Sequence, residues 1–291
     1  MAGHRGAGTR ACGGQGRPAT VLTAFQVDVL RCIAANRSPA SHIAGGAALN
    51  RDRPRLTGDL DIFHDVAEAV QASAAADART LRAAGFEVRE DPALRHLASA
   101  AFVERIASRG PGLTRLQWAA DSAVRFLPPV PDPVFGYRLS DPDLAVNKAL
   151  ALAGRSAARD VVDIVALHGG GFPLAALAWA APGKDPGFSA PLLLEWITRN
   201  ASQVTLADWR SVASTAPVDP VAVKAALLDA VDEARSLLRA LPPGPAGQVF
   251  LAPDGTALRP AAAFLGRDAP PGVTVLDTAT GLAVAQVPPE R

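Results

Sequence analysis

The sequence predicts an α/β domain followed by a helical domain and a small β tail. Three observations carry this reading. Short apolar runs broken by glycine turns occupy the first half, and a proline-rich connector, LPPVPDPVFG, then marks a change to long segments of helical period from Asp141. Near the end, apolar runs alternate with turns at Asp254-Gly255 and Thr280-Gly281. The corresponding boundaries are a disordered leader over 1–19, an α/β domain over 20–138, a helical domain over 139–241, and a linker with a β tail over 242–291. No internal repeat is present.

The leader is rich in Gly, Arg and Ala without apolar periodicity. The run VLTAFQVDVLRCIAA follows it, and Asp28 and Arg31 interrupt the uncharged core that a signal peptide needs. It therefore reads as an amphipathic helix over about Thr23–Ala35. HIAGG reads as a short strand entering a glycine turn, AALNRD as a short helix, and DLDIF as a second strand. VAEAVQASAAADARTLRAAG is helical, with Gly85 as its stop. FEVRE is a strand, and AFVERIA and LTRLQWA are paired strands across the turn SRGPG. Beyond the connector, helices are expected at 141–153, 157–168, 190–199 and 219–241. The tail segments QVFLAPDGTAL and VTVLDTATGLAVAQV read as two hairpins, in the role of a lid or of a packing element.

Bulk properties narrow the function classes. A formal charge of +1 over 291 residues provides no general attraction to nucleic acid or membrane, although a local basic patch still acts at short range. The two cysteines, Cys12 and Cys32, build no disulfide framework and suit a reducing compartment. No run of about 18 apolar residues occurs, which argues against a membrane span. A cytoplasmic location is the expectation.

The chemistry concentrates in IAGGAALNRDRPRLTGDLDIF, residues 43–63. Gly45 and Gly46 at a strand-to-helix turn allow close approach of backbone N–H groups to a phosphate. Taken alone, a paired glycine is more often an ordinary turn. Asp59 and Asp61 add to it, because residues two apart on a strand point to the same face. Two convergent carboxylates repel each other, and a hard cation such as Mg²⁺ relieves that repulsion. The order strand, Gly-Gly turn, helix, strand with D-x-D puts a phosphate cradle and metal ligands at one end of a sheet.

These motifs, with DLAVNKALALAGRSAARDVVDI at 143–164, resemble the nucleotidyltransferase superfamily, and more narrowly the AbiEii group of type IV toxin–antitoxin toxins. The resemblance covers about residues 40–170 and implies a nucleotidyltransferase fold with a mixed sheet. It implies transfer of a nucleoside monophosphate from an NTP, with Mg²⁺, to an RNA (tRNA in some relatives), a protein or a small molecule. A cognate antitoxin is the implied partner. Carried over by motif, Asp59 and Asp61 would hold the metal and Gly45, Gly46, Thr57 and Arg55 the nucleotide. Lys148 would contact the triphosphate, and Asp163 would complete the catalytic set.

Other readings stand beside these. Arg159 and Asp163 are also spaced for a surface i, i+4 pair, and Asp160, about 100° round the helix, reads as packing or capping. Many such enzymes carry a third carboxylate on a later strand; LTRLQWA offers Gln117 there, and Asp121 is the nearest acid. His64 follows the D-x-D strand directly. Arg51, Arg53 and Arg55 read equally as triphosphate or RNA ligands and as solvated loop charge. The four tryptophans, Trp118, Trp179, Trp196 and Trp209, read as core. A glycosyltransferase would also use D-x-D, but leaves the Gly-Gly turn and Lys148 unexplained. A catalytically inactive nucleotide- or RNA-binding protein is the second alternative.

Overall fold

The computed structural model describes residues 22–90, 99–241, 246–265 and 270–278. The expected leader and the Thr280-Gly281 turn lie outside these residues. Helix α1 (Ala24–Ile33) begins where Thr23 and Gln26 cap each other reciprocally, and a single 3-10 turn at Ala34–Asn36 leads on to β1 (Ser41–Ala44). The glycine pair opens α2 (Gly45–Leu49), and β2 (Asp59–His64) carries the two aspartates. Helix α3 (Glu68–Ala83) ends before Gly85, whose φ of 81° suits glycine. Strands β3 (Glu87–Arg89), β4 (Phe102–Arg109) and β5 (Gly112–Ala120) follow, the last two forming the expected hairpin.

The proline-rich connector is itself structured. It contains β6 (Val130–Asp132) and β7 (Gly136–Arg138), which complete a mixed seven-stranded sheet of order β3-β4-β5-β2-β1-β7-β6. Four prolines within seven residues disguise these strands. Pro131 is tolerated because β6 lies at the sheet edge, where a missing N–H breaks no ladder.

Strand pairing sets up the site. β1 and β2 are antiparallel with Ala44 opposite Asp61, and β5 runs parallel to β2 with Gln117 level with Asp61. β4 is antiparallel to β5 and sets Glu104 opposite Gln117. On β2 the buried residues Leu60, Ile62 and His64 alternate with the more open Asp59, Asp61 and Phe63. The buried face, with Leu116 and Trp118 of β5, packs under α1 and α3. There Asp77 of α3 receives Arg37 at 2.6 Å, Trp118 Nε1 at 2.7 Å and Asn36 at 2.8 Å. Burial pushes the Asp77 carboxyl up and the Arg37 guanidinium down, so each ion depends on its partners.

The second half is helical: α4 (Asp141–Gly154), α5 (Ala158–Gly169), α6 (Leu174–Lys184), α7 (Ala190–Ser202), α8 (Leu206–Arg210) and α9 (Pro220–Arg239). Ser140 caps α4 through the Asp143 N–H, with proline in the first turn. Helix α6 had no expected counterpart because LAALAWAA is buried along most of its length and lacks a polar face from which to read a period. α4 packs on α2 and joins this bundle to the sheet. Trp118, Trp179 and Trp209 are buried as expected, whereas Trp196 is 37% exposed and lies under Arg199.

Of the two expected tail hairpins the first is present, with Leu251 bridged to Ala257, and the return arm of the second lies outside the described residues. β8 (Val249–Leu251) pairs with β9 (Thr274–Leu276) in an antiparallel two-stranded sheet, and β8 packs on α6. Its turn at Asp254-Gly255 is present, with Gly255 at φ 81°. No single described helix is long and apolar enough to cross a membrane.

Asp77→Ala strands the buried Arg37 guanidinium without its counter-charge, and is expected to cost about 3–5 kcal/mol in denaturant unfolding. A loss below about 1 kcal/mol, the scale of an exposed pair, would contradict this account of the sheet's covered face.

Candidate active site

The open face of β2 and β5 floors a cleft of about 390 Å³, and α4 and the α4–α5 turn wall it. Asp59 and Asp61 line it together with Gly45, Gly46, Thr57, Arg55 and Lys148, so seven of the residues singled out from sequence converge. Asn147, Arg155, Arg159 and Gln117 complete its polar lining.

The glycine turn is shaped by its neighbours. Gly45 has φ 60°, and a Cβ there would overlap the Asp61 carboxylate. Only glycine allows this backbone to turn against the D-x-D strand. A Cβ on Gly46 would lie 2.7 Å from Arg55 Nη2 and 3.1 Å from Thr57 Oγ1, so this residue too is closely hemmed in. The Thr57 hydroxyl donates to the Asp59 carbonyl at 3.0 Å and holds the start of β2.

Behind the cleft lies a chain of buried ions. Asp163 accepts Arg55 Nε at 2.6 Å and Nη2 at 2.9 Å, a bidentate pair, together with Asn50 Nδ2 at 3.1 Å. Lys148 Nζ sits 3.1 Å from Asp163 and 2.8 Å from Asp160. Arg155 Nε reaches Asp160 at 2.7 Å. Burial opposes the Asp160 charge, but Lys148 and Arg155 outweigh it and hold its carboxyl at about 2. The hydrogen bond to Asp160 likewise raises the Arg155 guanidinium. Lys148 donates a hydrogen bond to Asp160, forms an ion pair with Asp163, and also lines the cleft.

This geometry corrects several expectations. Asp163 is 1% exposed, is not among the residues lining the cleft, and pairs with Arg55 and Lys148 instead of Arg159. Asp160 is 0% exposed and part of the same chain, not a cap. Arg159 is exposed, lines the cleft and makes no ion pair among the described residues. Asp121 stands apart from the cleft: its N–H donates to the His64 carbonyl, four residues along β5 from Gln117, about 13 Å at strand rise. His64 points to the covered face, hydrogen-bonded to Ser41 at 3.1 Å, and burial there lowers its pKa to about 4. Of the loop arginines, Arg51 pairs with Asp52 and Asp141, and Arg53 donates to the Leu49 carbonyl. Only Arg55 reaches the site. Sequence reading missed Arg155, whose position in the turn five residues before Asp160 was its one signal.

The carboxylate pair fits a hard cation. Burial, then the Asp59 charge, raises the Asp61 carboxyl, which is the electrostatic signature of a pair short of positive charge. Among the described residues no three His, Cys, Asp or Glu side chains form a metal cluster. A cation held by Asp59 and Asp61 would take its other ligands from water and substrate, a coordination habit of Mg²⁺.

Comparison with solved structures finds the nucleotidyltransferase toxin MenT4 of Mycobacterium tuberculosis H37Rv, at a TM-score of 0.53 and 16% identity, over 72% of this chain and 81% of that one. The fold is that of a nucleotidyltransferase. JHP933 of Helicobacter pylori aligns at a TM-score of 0.43 and 13% identity, over 74% of this chain and 90% of that one. No protein-family model and no curated protein matches the chain.

Asp61→Asn removes a charge that the folded state disfavours. Because the folded pKa is raised, the penalty is absent below the ordinary carboxylate range and complete above the folded pKa. In metal-free buffer at pH 7 the variant is expected to melt at or above the wild-type temperature, with the gap closing toward pH 3. Millimolar Mg²⁺ is expected to stabilise only the wild type. A less stable variant in metal-free buffer would contradict the assignment.

Proposed function

We propose that the chain is a cytoplasmic Mg²⁺-dependent nucleotidyltransferase that moves a nucleoside monophosphate from an NTP to a hydroxyl-bearing acceptor. The observation that carries this reading is one cleft in which an acidic floor, Asp59 and Asp61, faces a basic wall of Arg55, Lys148, Arg155 and Arg159. A metal–triphosphate presents the matching pattern of charges. Asp59 and Asp61 would hold Mg²⁺, which when bound neutralises phosphate charge and polarises the reacting phosphoryl group. Gly45 and Gly46 line the cleft with backbone that no side chain covers, and Lys148 would place positive charge on the leaving pyrophosphate. Asp160 and Asp163 hold these cations in place. The acceptor oxygen bonds to the α-phosphorus, the bond to pyrophosphate breaks, and the hydroxyl proton leaves to solvent.

RNA, with tRNA included, protein and small molecules are the acceptor classes to test. A toxin role with a cognate antitoxin belongs to the same reading, supported by the fold shared with a protein described as a nucleotidyltransferase toxin. Gln117 at the third-acid position favours one alternative, a protein that binds the nucleotide without transferring it.

Incubation with each α-labelled NTP, Mg²⁺, total RNA and a cell-protein fraction is expected to label one fraction. Asp59→Ala and Asp61→Ala are expected to abolish labelling, and Lys148→Ala to slow it about 100-fold or more. NTP binding without label transfer would favour the inactive binding protein, and transfer by Asp61→Ala would overturn the metal site.

A further inference from the structure

We propose that Gln117 contacts the acceptor, accepting a hydrogen bond from its hydroxyl through the side-chain carbonyl, and that buried Glu104 is the positioning residue that holds the amide in this orientation. The inference rests on the transferase reading above and assigns its acceptor side.

Asp61, Gln117 and Glu104 form one row across β2, β5 and β4, on the face that floors the cleft. Gln117 Nε2 donates to Glu104 Oε2 at 2.7 Å. A carboxylate only accepts, so this bond fixes which way the amide points: its NH₂ faces Glu104 and its Oε1 is left for the cleft. Among the described residues Oε1 has no hydrogen-bond partner, and it is not one of the solvent-shielded unpaired atoms, so it is open to a ligand. Glu104 is 9% exposed and its other oxygen is buried with no partner. That arrangement costs stability, and an apolar side chain would fill the space without the penalty. The carboxylate is therefore explained by what it does to Gln117.

The placement also suits the reaction. The cations that receive pyrophosphate are anchored through Asp163 to Asn50 and Arg55, on the β1–α2 side of Asp61. In-line displacement brings the attacking oxygen from the opposite side, which is where β5 and β4 lie. A neutral acceptor oxygen there selects a group carrying a hydrogen, a hydroxyl or amine, and disfavours a terminal phosphate.

Transfer to whichever fraction the wild-type protein labels, with Mg²⁺–NTP affinity measured alongside, tests this. Gln117→Leu is expected to lower kcat/KM for the acceptor at least tenfold, with NTP affinity within about twofold of wild type. Glu104→Gln keeps the shape but loses the accept-only lock; Glu104→Asp loses a methylene but keeps it. The lock predicts greater loss in Glu104→Gln than in Glu104→Asp, whereas a packing role predicts the reverse order. That reverse order, or a Gln117→Leu protein with unchanged acceptor kinetics, would overturn the proposal. A wild-type protein that binds NTP but labels nothing would overturn the transferase reading as well, and so is a distinct result.

Discussion

The site depends on one chain of buried ions, Arg55–Asp163–Lys148–Asp160–Arg155. It ties the loop before β2 to α4, to α5 and to the turn between them. The two carboxylates are fully buried, and buried charges are tolerated only when each is paired and hydrogen-bonded. Their demand for partners fixes where three cations sit. Those cations then present their remaining N–H groups along one wall of the cleft, without needing a ligand to gather them.

The opposite constraint acts on the floor. Asp59 and Asp61 are held on one face by strand geometry, and the Gly45 backbone closes against the Asp61 carboxylate. Nothing on the floor neutralises them as Asp160 and Asp163 are neutralised behind it. The cleft thus separates its charges, acidic below and basic above, instead of pairing them across. That separation is held in place by the protein, and under the proposed function it would lower the reorganisation needed to bind a metal–triphosphate.

Much of this was legible in the sequence because the relevant signals are local. A period of two placed both aspartates on one face, and a paired glycine between strand and helix marked a turn that only glycine can make. Lys148 and Asp163 were found by resemblance, but their roles were not, since whether an aspartate faces a ligand or a buried arginine depends on tertiary packing. Arg55 shows this best: 108 residues separate it from Asp163, and no spacing rule connects them. Asp160 was misread because helical angle alone ignores the reach of Lys148 and Arg155 from neighbouring segments. The strands in the proline-rich connector were hidden by residues that normally argue against a strand and are tolerated here only at an edge. Glu104 carried no sequence signal, because its importance comes from cross-strand register with Gln117.

The most direct test is an anomalous-scattering crystal structure with Mn²⁺ and a non-hydrolysable NTP analogue. A manganese peak is expected between Asp59 and Asp61, with the terminal phosphates against Lys148 and Arg155. A nucleotide bound elsewhere, or manganese absent from the aspartate pair while the nucleotide is bound, would contradict this reading.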